Sequence, residues 1–243
     1  MSDETFEAPY ETRVRLDHDK IRALRGIIDG TMRRDRIQYA HRMIWTLFGA
    51  TEETKRDFLY VVESESPLVA VVRSRRPPED RLGIWTIEHG YRLAPRLAEG
   101  TRLRFRLRAV PVRWSVEPGA KRGKRHDVIL WAWHRLPEAE RTEARLEETA
   151  ERAALDWLTG QGAARGFVVG EECRVLDYDR VRISTRASSP IRFGTVTYEG
   201  RLTVTDPAAF HKTLAEGMGA ARGFGNGMLR IAPDRPAPGC WTS

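Results

Sequence analysis

At 243 residues the chain is long enough to bury a core without metals or disulfides, as one large domain or two small ones. A hydrophobic content of 41% excludes a disordered chain, and the lack of any run near ~20 apolar residues excludes a membrane span. The net charge is +7, and only five of the 41 basic residues are lysine, so 36 are arginine. That excess has two readings: the coding bias of a GC-rich genome, or guanidinium groups suited to phosphates and base edges. Cys173 and Cys240 stand at no metal-ligand spacing, which fits a reduced, cytoplasmic protein. The acidic, polar start MSDETFEAPYET does not read as a secretory or transit signal.

In chain order, residues 10–16 read as a strand, and a polar, Arg-rich stretch broken by Gly30 follows at 19–34. Residues 36–48 form a helix, with Ile37, Ala40, Ile44, Leu47 and Phe48 at helical spacing, Asp35 as cap and Gly49 as stop. Residues 58–63 and 68–73 read as a hairpin, and 84–88 as a further short strand. Residues 101–112 alternate strictly. Leu103, Phe105, Leu107 and Ala109 face a core, while Arg102, Arg104, Arg106 and Arg108 share the other face, where four like charges call for an anion or opposing carboxylates.

Residues 117–127 read as a basic loop and 138–158 as the longest helix. Strands are expected at 167–175, 180–186 and 193–205. Asp206 then caps a helix with Pro207 at its first position. A glycine-rich loop, 219–227, leads into a last strand at 228–232. From residue 98 the order is β, α, β, β, α, β, that of a ferredoxin-like domain. The first half reads as a partly degraded copy. The expected fold class is therefore α+β: two tandem ferredoxin-like (RRM-like) domains, residues 1–97 and 98–243, with antiparallel sheets and helices on one face.

The sequence holds no HExxH, P-loop, paired Cys-x-x-Cys or GxSxG motif, so neither a metal nor a cofactor is expected. His41 borders the apolar stripe of its helix, between Tyr39 and Arg42. It is either a satisfied, half-buried helix residue or a general acid–base. The loop 219–227 carries Gly219, Gly223, Gly225 and Gly227 with Arg222 among them. A helix-to-strand turn needs one or two glycines. Four would let the backbone approach an anion with its N–H groups.

Taken together, these segments resemble the CasE family, the CRISPR-associated endoribonucleases of type I-E systems. The resemblance rests on His41-Arg-Met-Ile-Trp45-Thr-Leu-Phe48, Arg56-Asp-Phe-Leu-Tyr60, Phe105-Arg-Leu-Arg-Ala-Val-Pro111, residues 198–205 and the closing segment 217–229. It implies tandem ferredoxin-like domains that bind the repeat hairpin of CRISPR precursor RNA. Cleavage would be metal-independent, at the base of the stem, with the mature guide RNA held within the Cascade complex beside its other protein subunits. His41 falls on the family's catalytic position. The family's tyrosine, three residues earlier, is Gln38 here, and Tyr39 stands one residue closer. The residues at 18–34 are extra to the pattern.

On this basis the expected catalytic group is His41 with Arg42 and Tyr39. The expected RNA contacts are Arg104, Arg106, Arg108, Lys121, Arg122, Lys124, Arg125, Arg180, Arg182, Arg186 and Arg222, with Gly219, Gly223, Gly225 and Gly227. The rival reading is a non-catalytic hairpin-binding subunit of the same complex, with His41 structural.

Overall fold

A computed structural model describes residues 8–23, 36–49, 56–116, 123–183 and 190–234. The chain runs β1 (Tyr10–Leu16), α1 (His18–Ala23), α2 (Arg36–Trp45), β2 (Phe58–Glu65), β3 (Leu68–Ser74), β4 (Trp85–Ile87) and β5 (Tyr91–Arg92). It continues β6 (Arg102–Ala109), β7 (Val112–Ser115), β8 (Lys124–Asp127), α3 (Val128–His134), α4 (Glu143–Gly162), β9 (Phe167–Val169) and β10 (Arg174–Ile183). β11 (Ile191–Val204), α5 (Pro207–Glu216) and β12 (Arg230–Pro233) complete it.

The N-terminal sheet has the order β2-β3-β1-β4, all antiparallel, and β5 pairs with the start of β1. β1 alternates, with Thr12, Val14 and Leu16 buried and Arg13 and Arg15 outward. α2 lays Ala40, Met43 and Ile44 on that core, and one further turn buries Leu47 and Phe48 before Gly49 stops it in the left-handed region (φ 57°). The C-terminal sheet repeats the order as β10-β11-β6-β12, with β9 extending β10's side of β11. Both are the ferredoxin-like order. In the first half, residues 75–84 cross between β3 and β4 without a helix, which is how that copy is degraded. Asp80 steadies the crossing by accepting the Ile84 and Trp85 amides at 3.2 and 2.9 Å.

Several expected elements differ. The stretch read as a loop over 117–127 is in part strand: β7 and β8 pair as a separate two-stranded sheet. Asp127, its last residue, then caps α3 by accepting the Ile129 and Leu130 amides. That seven-residue helix is apolar on nearly every side and shows no helical period in the sequence. The long helix begins at Glu143, capped by Thr142, because Pro137 and a separate short turn occupy 138–140. The strands expected at 167–175 and 180–186 are the short β9 and the long β10. Residues 228–229 are buried coil rather than strand.

The face of the N-terminal sheet away from α2 meets the end of α5 and the segment before β12. Arg73, 1% exposed, donates to the Leu214 and Leu229 carbonyls at 2.8 and 2.9 Å and pairs with Glu11 at 2.6 Å. Leu59 and Val71 pack on Met228 beside it. This contact explains why all seven residues of β3 are buried. It also sets the glycine-rich loop against α2.

Candidate active site

His41 reaches the site because α2 presents residue 41 on the flank of the stripe formed by Ala40, Met43 and Ile44, partly buried at the domain junction. Its Nδ1 lies 2.5 Å from the Gly223 carbonyl oxygen. A carbonyl only accepts, so Nδ1 carries the proton and the neutral ring presents the Nε2 lone pair elsewhere. The ring also packs on Phe224, 4.9 Å between centroids, and edge-on to Trp45. Burial lowers the imidazole pKa below the ordinary 6.5. The Gly223 hydrogen bond opposes that, and the positive charges of Arg56 and Arg42 add to it.

The loop 219–227 is held as one rigid object. Ala220 N donates to Val110 O, Gly227 N to Arg108 O at 2.7 Å, and Met218 N to Gly227 O. Gly227 takes φ +85°, and a Cβ there would lie 2.4 Å from Met218 O. Asn226 ties the loop from within, donating to the Ala221 and Phe224 carbonyls. This corrects part of the anion-cradle expectation: the Gly227 amide is spent on β6 and cannot face a ligand. What the loop offers is the Gly223 carbonyl, which orients His41 and also accepts from the Tyr60 hydroxyl at 3.1 Å. Burial raises the Tyr60 pKa strongly, so the phenol stays a donor.

Arg56 completes the group, and sequence reasoning missed it although it stands in the segment Arg56–Tyr60. A Cβ added at Gly223 would lie 3.4 Å from Arg56 Nη1 and 3.7 Å from His41 Cε1, so the two side chains flank the same backbone. Arg56 Nη1 is buried with no hydrogen-bond partner among the described residues. Its pKa falls chiefly through burial and also through the nearby Arg222 charge; that of Arg165 falls for the same two reasons. Arg222 itself donates to Glu216 O at 2.6 Å. Three guanidinium groups thus crowd the loop beside His41, an arrangement that an anion would relieve. Arg42, one position along α2, makes no hydrogen bond or ion pair among the described residues and acts on His41 only through its charge. Tyr39 packs partly on the N-terminal core and lines an adjoining cavity.

The remaining arginines divide. On β6 the alternation is as expected, with Leu103, Phe105, Leu107 and Ala109 buried. Arg104, Arg106 and Arg108 lie on the sheet face away from the helices. Arg108 donates to Thr195 at 3.1 Å and pairs with Asp179. Arg180 and Arg182 do not join them. Register pairs Arg180 with Gly194 and Arg182 with Arg192, on the same side as the buried Val196 and Tyr198. They therefore project from the opposite face of the sheet, so the expected RNA contacts on β6 and on β10 do not share one surface. Lys124 and Arg125 lie on the β7–β8 hairpin. Nearby, Trp131 is flanked by Arg113 and Arg135, 3.6 and 4.5 Å from its ring centre. Lys121, Arg122 and Arg186 lie outside the described residues.

A family model described as CRISPR associated protein matches residues 10–233. The CRISPR-associated endoribonuclease Cse3 of Thermus thermophilus is 28% identical over 195 residues, 76% of this chain and 83% of that protein. The Cascade subunit CasE of Escherichia coli K12 is 26% identical over 200 residues, 79% of this chain and 90% of that one. Among solved structures, Thermus thermophilus Cse3 bound to an RNA representing a pre-cleavage complex superposes with a TM-score of 0.62 at 24% identity, covering 93% of this chain and 100% of that one. That likeness establishes the fold.

Proposed function

The chain belongs to the family of CRISPR-associated proteins, and from that premise we propose that it is a metal-independent endoribonuclease. It binds the repeat hairpin of CRISPR precursor RNA, cuts at the base of the stem, and keeps the mature guide RNA as a subunit of Cascade. The names of its relatives support the substrate and the assembly. The observation that carries the chemistry is His41, its tautomer set by Gly223 and its flank occupied by Arg56.

RNA brings its own nucleophile, the ribose 2′-hydroxyl. With Nδ1–H held by the Gly223 carbonyl, Nε2 is the free base that takes the hydroxyl proton. The lowered pKa keeps it neutral and competent near pH 7. The 2′ oxygen attacks the adjacent phosphorus. The bond to the 5′ oxygen of the next nucleotide breaks and that oxygen takes a proton from water, leaving a 2′,3′-cyclic phosphate and a 5′-hydroxyl, while His41 returns its proton to solvent. Arg56, with an N–H lacking any protein acceptor among the described residues, neutralises the charge that builds on the phosphoryl oxygens. Arg104 and Arg106 offer guanidinium groups on the open face for the stem, whose deep major groove leaves phosphates and shape to be read.

The test is cleavage of a labelled repeat hairpin by the purified protein in excess EDTA, with the product ends analysed. Undiminished cleavage with cyclic-phosphate ends is expected. Loss of activity in EDTA would refute the metal-free reaction, and tight binding without cleavage would favour the non-catalytic subunit.

A further inference from the structure

One cavity in the molecule is not used by this chemistry. It measures about 400 Å³, within the range of pockets that hold small organic ligands. It lies where the open face of the C-terminal sheet ends against α2 and the β2–β3 hairpin. Its wall includes Tyr39, Tyr60, Phe193 and Phe224, with Arg108 and Asn226 at polar points. Phe193 and Phe224 are stacked, 6.2 Å between centroids. The other neighbour of Phe224 is the His41 ring, so the cavity begins one aromatic ring away from the base.

Two polar atoms of the wall residues are unsatisfied. Asn226 Oδ1 and His18 Nε2 are buried without a hydrogen-bond partner among the described residues. Asn226 is itself 2% exposed, and its amide nitrogen is fully engaged in the loop. Both Asn226 Oδ1 and His18 Nε2 are sealed from the cavity, so the wall behind the aromatic rings is closely packed. Aromatic walls and a guanidinium suit a planar heterocycle.

We infer that this cavity receives the nucleobase immediately 3′ of the scissile phosphate, extruded from the stack at the foot of the hairpin. The inference rests on the endoribonuclease reading above. That nucleotide lies outside the stem, so its base leaves the stack without breaking a pair, and single-stranded bases are characteristically held on aromatic side chains. Drawing it aside turns the backbone at the cleavage point. In a regular helix the 2′-oxygen does not stand in line with the departing 5′-oxygen, and a backbone turned there is how the two are aligned. The pocket is therefore a positioning subsite, acting on geometry rather than on proton transfer.

A double-mutant cycle tests it, read as affinity for an uncleavable hairpin with 2′-deoxyribose at the cleavage site. The four arms combine wild type or Phe193→Ala with an intact or an abasic 3′ nucleotide. Each single change should weaken binding by about tenfold, and the two together by no more than about tenfold, because they remove the same stacking contact. Losses that multiply towards about a hundredfold, or an abasic hairpin that binds like the intact one, would overturn the subsite and leave the endoribonuclease reading standing. Phe193→Leu keeps an apolar wall without the ring and should couple in the same way, so the cycle does not depend on one variant folding. Failure of the wild type to bind any hairpin would overturn both.

Discussion

One carbonyl oxygen decides what His41 can do. Gly223 O fixes the proton on Nδ1 and turns Nε2 into the free nitrogen. Burial and two nearby arginines then favour the neutral ring. The sign of the pH response follows. A base must be unprotonated, so the cleavage rate falls as pH falls through the His41 pKa. Because that value is lowered, the midpoint of the acid limb should lie below 6.5 in a single-turnover pH–rate profile. A midpoint above 6.5, or a rate that rises on acidification, would mean that the protonated ring acts first.

At the scale of elements, alternation on β6 and the capped start of α5 were legible from residue pattern alone, since a period of two and an Asp-Pro start are local signals. The β7–β8 hairpin was not, because its arginines and lysine read as a loop and its pairing is a tertiary fact. Arg56 was illegible for the same reason: its importance comes from Gly223, 167 residues away in the chain. His41 was legible through family resemblance, but the atom that orients it was not. Register also divides the arginines. Arg104 and Arg106 share the open face, while Arg180 and Arg182 project from the other. Titrating hairpin binding against salt should show Arg104→Gln and Arg106→Gln each lowering the slope of log affinity against log salt by about one. An unchanged slope would remove the open face from the binding surface.

The whole molecule works as two copies of one topology locked together. The lock is Arg73, whose buried guanidinium spans Glu11 of the first domain and two carbonyls of the second. With the packing of Leu59 and Val71 on Met228, that contact holds α2 with His41 against the C-terminal loop with Gly223. Arg73→Ala strands a largely buried carboxylate and two carbonyls, and should cost about 3 kcal/mol in denaturant unfolding. A loss under about 1 kcal/mol would show that apolar contacts alone hold the domains together.

The most direct measurement of the catalytic claim is the single-turnover cleavage rate of His41→Ala on the repeat hairpin, with hairpin affinity measured in parallel. The rate should drop by about 10²–10⁴-fold while affinity stays near that of the wild type. Cleavage within about threefold of wild type by the variant would contradict the assignment of His41 as the base.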